Sequence, residues 1–482
     1  MIRKYLLISL TLVALGSCTK DIERFNEQKK SAATAPPATL FSNGVRNYVD
    51  AMTSANVNTN VFRLTVQHWA TTTYQDEPNY DFTTRLIPQL WWRTMYRDVL
   101  VDLQEAKRLI PDDITIAEGT KKNQTAIVDI MQVMAYETLV NTFGDVPYSE
   151  ALDFNKVFPK YDDAKTIYDD LIKRLDADIA ALNPASNGFS AADDLIYGSI
   201  SSESNRVNAW KKLANSVKLR LGITIADADP AQSKTVVEQA SAGAFTSAAD
   251  NAIFKYQATT PNTNPIWVDL VQSNRQDFVI GTTLIESMKT LSDPRIPLYF
   301  KPNDAGQYVG GKIGSNNTFP LFAKPNDKIV APDFPGVLMT FDEVEFIRAE
   351  AIERGYAVGG SAKEHYDNAV RASIVFWGGT EAAAGTYLSQ PGLSYTTAPG
   401  NYKQKIGTQK WIALYNRPVE GWTEVRRLDY PVLPPPANPD SEYPTRFTYP
   451  GNEQTLNPTN YTAAAAKIGK DEVTTKIFWD KF

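Results

Sequence analysis

Apolar residues recur every three or four positions in several long segments of the chain, which is the spacing of one face of an α-helix. One such segment comprises Leu90, Trp91, Met95, Val99, Leu103, Ala106 and Ile110, between Pro88 and Pro111. A second segment, from about Gln124 to Phe143, is apolar on nearly every side. We expect this second helix to lie buried between layers and to end at Gly144.

Further helices are predicted over residues 164–182 and 207–226 by the same spacing. Two later helices have start signals, because Thr340 precedes Glu343 and Ser361 precedes Glu364, as in a capping box. Gly355 and Gly378 then fit the left-handed position that ends a helix. Residues 341–377 thus resemble one tetratricopeptide-type unit of helix, turn and helix, although the chain has no strict sequence repeat.

Long irregular segments separate these helices over residues 250–280, 300–338 and 429–461. They are rich in Asn, Pro, Gly and aromatic residues, and loops of this length in a compact domain usually carry function. The sequence therefore predicts an all-α fold, in which a tetratricopeptide-like scaffold of helix pairs supports loops that form the binding face.

The start of the chain is typical of an exported lipoprotein. Arg3 and Lys4 precede an apolar run from Leu6 to Leu15, and Leu15-Gly16-Ser17 stands directly before Cys18, the only cysteine. This pattern predicts a signal peptide over residues 1–17 and acylation of Cys18. A polar tether over residues 18–38 then precedes one domain over residues 39–482.

Composition and charge exclude several functions. The chain has 49 Lys and Arg residues against 55 Asp and Glu, a formal net charge of −6, which disfavours nucleic acid as a partner. With two histidines and no Gly-x-Ser-x-Gly motif, no catalytic triad, metal or cofactor is expected. A pair of carboxylates that cleaves a glycosidic bond is left open, because carboxylates are abundant. His68 is interpreted as either packed or ligand-binding, and His365 as a residue at the surface or at a helix interface.

Seven short motifs follow one another along the chain after the lipoprotein start. They are Phe143–Tyr148, Trp210–Arg220, Asp293–Arg295, Glu345–Ala351, Lys410–Leu414, Gly421–Arg427 and Arg446–Pro450. In this order they resemble the SusD/RagB family, although many members have Tyr where this chain has Phe143. Within the motifs, the helical spacing of Trp210, Leu213, Leu219 and Trp411 indicates core positions.

The resemblance implies an outer-membrane lipoprotein of a Bacteroidetes-type bacterium that faces the cell surface, with four tetratricopeptide-like helix pairs. It also implies nutrient binding, as the lid of a SusC-like TonB-dependent transporter. Most ligands of the family are glycans, and some branches bind peptides. The residues of this chain do not distinguish between an oligosaccharide and a peptide as the ligand. Two other classes stay open: a surface glycoside hydrolase and a purely structural surface protein.

The ligand face is predicted on the irregular segments, because a sugar needs aromatic planes for its C–H faces and fixed polar groups for its hydroxyls. The predicted residues are Trp69, Tyr74, Tyr80, Trp267, Arg275, Asp277 and Tyr308. The two tryptophans are expected as stacking platforms, the tyrosines as secondary contacts, and Arg275 with Asp277 as the orienting pair. The alternative is that these aromatic residues pack the loops onto the scaffold.

We predict that Cys18 is the membrane anchor. Cys18→Ser should yield a folded, soluble protein with altered signal processing, because no other segment of the sequence is apolar enough to hold a bilayer. Membrane and soluble fractions of cells that lack the transporter measure this outcome. A variant that stays in the membrane fraction of such cells contradicts the prediction.

Overall fold

The computed structural model describes residues 35–482, and helices dominate it. The first nine α-helices are α1 (Pro37–Thr53), α2 (Phe62–Thr65), α3 (Ile87–Arg93), α4 (Val101–Leu109), α5 (Glu118–Phe143), α6 (Ala164–Ala181), α7 (Glu203–Thr224), α8 (Pro230–Ser241) and α9 (Pro265–Trp267). The others are α10 (Thr282–Thr290), α11 (Ile296–Tyr299), α12 (Phe341–Glu353), α13 (Ala362–Phe376), α14 (Glu381–Leu388), α15 (Tyr402–Ala413), α16 (Pro418–Leu428), α17 (Gly451–Leu456) and α18 (Pro458–Lys467).

The predicted leader and Cys18 lie outside the described residues, as does most of the tether. The first helix begins at Pro37, so the last two residues of the predicted tether, Pro37 and Ala38, are helical. Proline is favoured at this position because the first helical N–H has no partner within the helix. In the part of the chain that is described, no helix is both long enough and apolar enough to cross a membrane.

Consecutive long helices pack side by side, which confirms the helix-pair scaffold. The four consecutive pairs are α5 with α6, α7 with α8, α12 with α13 and α15 with α16. Helix α1 packs on α4, and successive pairs also contact each other, so the helices form a continuous stack. The sequence did not predict α8, which begins at Pro230 with Asp229 as its N-cap.

The two apolar segments form the helices that were expected, with one difference. The segment from 87 to 109 is a single helical run, but residues Thr94–Leu100 form π-helical turns between α3 and α4. A period of three to four positions does not distinguish this wider turn. In α5 every residue from Ala126 to Phe143 is buried, and Gly144 follows with a φ of 84°, as predicted.

The two predicted capping boxes have different outcomes. The Ser361 hydroxyl accepts a hydrogen bond from the Glu364 N–H and caps α13, but the described residues show no return bond from the Ser361 N–H to the Glu364 carboxylate, so only half of this box forms. Thr340 precedes α12 but makes no side-chain cap, so that part of the prediction was wrong. The Glu343 carboxylate pairs with Arg417 instead, because a buried guanidinium competes better for it than a backbone N–H does.

Within residues 35–482, eight short strands form four antiparallel two-stranded ladders among the helices. The strands are β1 (Trp69–Thr71), β2 (Val146–Pro147), β3 (Tyr161–Asp162), β4 (Ala252–Phe254), β5 (Phe278–Ile280), β6 (Phe300–Lys301), β7 (Lys324–Pro325) and β8 (Gly336–Met339). They pair as β1–β5, β2–β3, β4–β8 and β6–β7, and they tie together loops that are distant in sequence.

The core of the stack contains charged groups as well as the buried Trp210, Leu213, Leu219 and Trp411 that the motifs indicated. Arg220 on α7 donates from Nε and Nη2 to the two carboxylate oxygens of Glu137 on α5, at 2.9 and 2.6 Å. Arg220 also lies 3.4 Å from Glu343 on α12. These side chains are all buried, so the chain of ion pairs connects three helices across the core.

A second buried ionic cluster joins α12, α15 and α16. Arg427 donates to both oxygens of Glu350 at 2.6 Å and to Glu424 at 2.6 Å, and Lys410 lies 3.0 Å from Glu424. Burial raises the pKa of Glu350, but the Arg427 and Arg354 guanidinium groups outweigh burial and lower this pKa to about 2. Glu350 is therefore ionised across the physiological pH range.

Replacing Arg427 should destabilise the protein strongly. We expect Arg427→Met to lower the free energy of unfolding at pH 7 by about 3–5 kcal/mol, because it leaves buried carboxylates short of one cation. Since the pKa of Glu350 is depressed, its stabilising contribution is complete above its ordinary value of 4.5 and is lost as the pH falls toward 2. The difference in the free energy of unfolding between the wild type and Arg427→Met should therefore become smaller below pH 4.5.

Urea unfolding at several pH values measures this difference. Arg371→Met is the matched control, because Arg371 forms an exposed ion pair with Glu381 at 3.0 Å. The control should change the free energy of unfolding by no more than about 0.5 kcal/mol. Equal effects of the two substitutions would contradict the role given to the buried cluster.

Candidate functional site

The ladder β1–β5 brings the early loop and the middle loop of the sequence together. Its register pairs Trp69 with Ile280 and Thr71 with Phe278. Beyond the ladder, Thr72 continues the contact, since its N–H donates to the Asp277 carbonyl at 2.9 Å and its hydroxyl to the Gln276 carbonyl at 2.6 Å. Residues about 200 positions apart are thereby held side by side.

A cleft of about 70 Å³ lies where these loops meet the loop after α1. Its lining consists of Ala55, Asn56, Val57, Asn58, Tyr74, Asp269, Arg275, Asp277 and Phe278. Three of the residues that the sequence predicted, Tyr74, Arg275 and Asp277, thus lie together in one cleft.

These three side chains contact one another. Arg275 forms an ion pair with Asp277 at 2.7 Å and donates a hydrogen bond to the Tyr74 hydroxyl. Its guanidinium carbon lies 5.8 Å from the centre of the Tyr74 ring, and that of Arg85 lies 4.9 Å from the same centre. Arg275 is half exposed, so it can exchange these contacts for those of a ligand. Arg275 and Asp277 therefore form an ion pair, while their role in orienting a ligand stays a prediction, and two guanidinium groups already contact the Tyr74 ring.

Asp269 adds a second carboxylate to the cleft. Burial raises the pKa of Asp269, and the neighbouring Asp277 raises it further. Hydrogen bonds from the Ala55 N–H and the Ser54 hydroxyl lower the same pKa. Arg63 lies behind it with a pKa that burial lowers to about 10. The lining itself contains one cation, Arg275, and two carboxylates, Asp269 and Asp277, so the cleft offers both hydrogen-bond donors and acceptors.

Trp69 is not a platform in this structure, which corrects one prediction. Its side chain is 1% exposed, and its indole N–H donates to the Tyr415 hydroxyl at 3.1 Å. The ring packs against Phe278, with the Arg63 guanidinium 5.1 Å from its centre. Both faces of this short strand are covered, so its aromatic residue belongs to the core. A pattern of only three residues does not reveal this burial.

Tyr80 is also buried, contrary to the prediction of a ligand contact. It is 4% exposed and follows a turn of 3₁₀-helix with a positive φ of 74°. Its ring meets Tyr443 edge-on at 5.9 Å, and its hydroxyl lies 3.5 Å from the Gln67 amide. Tyr80 thus attaches the early loop to the segment after α16.

Trp267 and Tyr308 are both half-buried, and neither lines the cleft. Trp267 ends α9, two residues before Asp269, and the π-helical turns that follow it contain no buried residue. Val268 and Val271 on these turns are 39% and 46% exposed. Trp267 therefore stays a candidate platform beside the cleft, and the role of Tyr308 stays a prediction.

Asn56, Asn58 and Asp269 line the cleft but were not predicted from the sequence. A signal was present for the first two, because three asparagines occur between residues 56 and 60, directly after a helix. Asn side chains stabilise such turns, and here the side-chain oxygen Oδ1 of Asn56 accepts hydrogen bonds from the backbone N–H and the side-chain amide of Asn58, both at 2.9 Å. No comparable signal distinguishes Asp269 from other carboxylates.

The two histidines occupy packed positions. His68 is 1% exposed, packs against Trp411 at 5.1 Å between ring centres, and contacts the Trp411 carbonyl at 3.1 Å. His365 on α13 contacts Glu345 on α12 at 3.0 Å, so it lies at a helix interface as expected. Within residues 35–482, no group of three or more His, Cys, Asp or Glu side chains is arranged to hold a metal ion.

A stack of helix pairs with a polar cleft on its loops is the class of structure that this chain defines. A family model named SusD-like_2 and described as "Starch-binding associating with outer membrane" matches residues 28–450. The chain therefore belongs to the SusD-like family, as the seven motifs indicated. None of the curated protein sequences compared with it matches.

Solved structures of the same fold cover nearly the whole chain. A chitin-binding protein is 26% identical with a TM-score of 0.78, over 92% of this chain and 100% of its own. A SusD homologue from Bacteroides uniformis is 26% identical with a TM-score of 0.74, over 92% and 99%. A chitin-binding SusD homologue from Flavobacterium johnsoniae, at 22% identity, has a TM-score of 0.77 over 92% and 99%, and shows the fold alone.

Proposed function

We propose that this protein binds a glycan at the cell surface and delivers it to a SusC-like TonB-dependent transporter in the outer membrane. The observation that carries the proposal is the cleft in which Tyr74, Arg275 and Asp277 meet beside Asn56 and Asp269. Its side chains supply both the hydrogen-bond donors and the hydrogen-bond acceptors that the hydroxyls of a sugar need.

Family membership supports a glycan over a peptide as the ligand. The family description names starch, and the relative that is 26% identical is a chitin-binding protein. Both polymers are neutral glycans, whose polar groups can pair with the donors and acceptors of the cleft. We propose that the chain binds an oligosaccharide of this type without cleaving it.

The outer membrane is the proposed location, with the acylated Cys18 as anchor and the binding loops toward the outside. The family description includes association with this membrane. The proposed partner is the transporter, whose lid the protein would form through an interface larger than a standard one of about 1,600 Å². Crosslinking in intact cells should recover a large β-barrel protein. Recovery of no such protein would contradict this part of the proposal.

Substitutions at the cleft test glycan binding. Arg275→Met should weaken binding of chitin or starch oligosaccharides by about 1–3 kcal/mol while the thermal midpoint changes little, because Arg275 is half exposed. Trp267→Ala should have a similar effect if its ring is a platform. Isothermal titration calorimetry measures the affinities, and chromatography of the incubated glycans detects any products.

Arg97→Met is the matched control, because Arg97 is an exposed arginine that pairs with Asp98 at 2.6 Å away from the cleft. It should leave the affinity unchanged. Unaltered binding in Arg275→Met would place the ligand elsewhere, and binding of peptides instead of glycans would refute the ligand class. The appearance of shortened glycans would favour the glycoside hydrolase.

A further inference from the structure

A cavity larger than the cleft lies between the end of α16, the segment that follows it and residues 476–482. Its volume is about 240 Å³, far above the roughly 10–15 Å³ that one water needs, so it accommodates several waters or one small organic molecule. It is lined by Val425, Arg426, Asp429, Pro431, Val432, Leu433, Tyr443, Thr445, Lys476, Asp480 and Phe482. No residue of the cleft takes part in this lining.

The polar groups of the cavity are incompletely paired. The Asp480 side chain is 2% exposed, and one of its oxygens accepts a hydrogen bond from Lys476 at 3.2 Å. The Tyr443 hydroxyl is buried and has no hydrogen-bond partner within residues 35–482. Burial raises the pKa of Tyr443 well above its ordinary value, so this hydroxyl keeps its proton. Buried polar groups in native proteins are nearly always paired, and a bound ligand would supply the missing partner.

Arg426 is a fixed donor at the same wall. Its guanidinium carbon lies 3.5 Å from the Trp422 ring centre and 4.9 Å from that of Trp479. Its hydrogen bonds go to backbone carbonyls, among them that of Asn141 at 2.9 Å, and to the Thr423 hydroxyl, rather than to a carboxylate. Aromatic rings and carbonyls therefore hold this cation in place.

The charges on the lining indicate the chemistry of the occupant. Among the lining side chains, Arg426 and Lys476 balance Asp429 and Asp480, so these side chains favour neither an anion nor a cation, and Lys476 also donates to the main-chain oxygen of Phe482. Apolar side chains, including those of Pro431 and Leu433, form the rest of the wall. Apolar walls with a few convergent donors and acceptors are typical of sites for small hydroxylated molecules.

The wall is also held in place before any ligand arrives. The Gln67 amide donates to the Pro434 carbonyl at 2.6 Å, and the Asp440 N–H donates to the Asn79 carbonyl at 2.7 Å. Both bonds attach the segment after α16 to the early loop. A preformed cavity binds a ligand without the entropy loss of ordering a loop.

We propose that this cavity is a second binding site, distinct from the cleft, for a neutral, hydroxyl-rich small molecule such as a single sugar or polyol. Asp480 accepts hydrogen bonds from the ligand hydroxyls, and Tyr443 and Arg426 donate to them. The site does not depend on the proposed function of the cleft, because the two share no lining residue.

Saturation-transfer NMR with D-glucose as the probe and the full chain as receptor tests the proposal. Asp480→Asn and Tyr443→Phe should each raise the dissociation constant for glucose at this site by about tenfold, because each removes a buried hydrogen bond to the ligand. Arg275→Met leaves the cavity intact and should retain this binding. Tyr461→Phe is the matched control, because the Tyr461 hydroxyl bonds to Asp471 outside the cavity lining.

Thermal melts of each variant verify that the fold is retained, and Tyr443→Phe keeps the test valid if Asp480→Asn unfolds. Glucose binding that is unchanged in both cavity variants, or absent from the wild type, overturns the second site. Loss of all glucose binding in Arg275→Met alone also overturns it, while supporting the cleft. If glycans fail to bind at the cleft while glucose still binds in the larger cavity, only the proposed function is overturned.

Discussion

Buried ion pairs between helices are the interaction on which the rest of the structure depends. Arg427 joins Glu350 on α12 to Glu424 on its own helix, and Arg220 joins α7 to α5 and α12. A buried charge without its partner costs several kcal/mol, so each helix is held in the one register that pairs these groups. The loops that form the cleft are fixed on this scaffold.

The loops become a site because short ladders and single hydrogen bonds attach them to one another. The ladder β1–β5 places Tyr74 beside Arg275 and Asp277, and the segment after α16 braces the early loop through Gln67 and Asn79. The same segment forms the wall of the larger cavity. One irregular stretch thus supports both the cleft and the second proposed site.

The residues that meet at the cleft were only partly predictable from the sequence. Tyr74, Arg275 and Asp277 were expected on one face and do meet, because polar residues of long loops stay near the surface. Trp69 and Tyr80 were expected on the same face and are buried. An aromatic residue in a loop is equally suited to stacking on a sugar and to packing the loop onto the scaffold, and neighbours distant in sequence decide between the two.

The sequence by itself determined several of the long helices, core positions such as Trp210 and Trp411, and the family, because apolar spacing, helix-end residues and the seven motifs are local patterns. It also placed Arg275 and Asp277 on a long irregular segment. Only the tertiary structure decided that Glu343 pairs with Arg417 rather than capping its helix, and that Asp269 and two asparagines join the cleft. Such contacts join residues tens to hundreds of positions apart, and no local pattern records which of many equivalent side chains will meet.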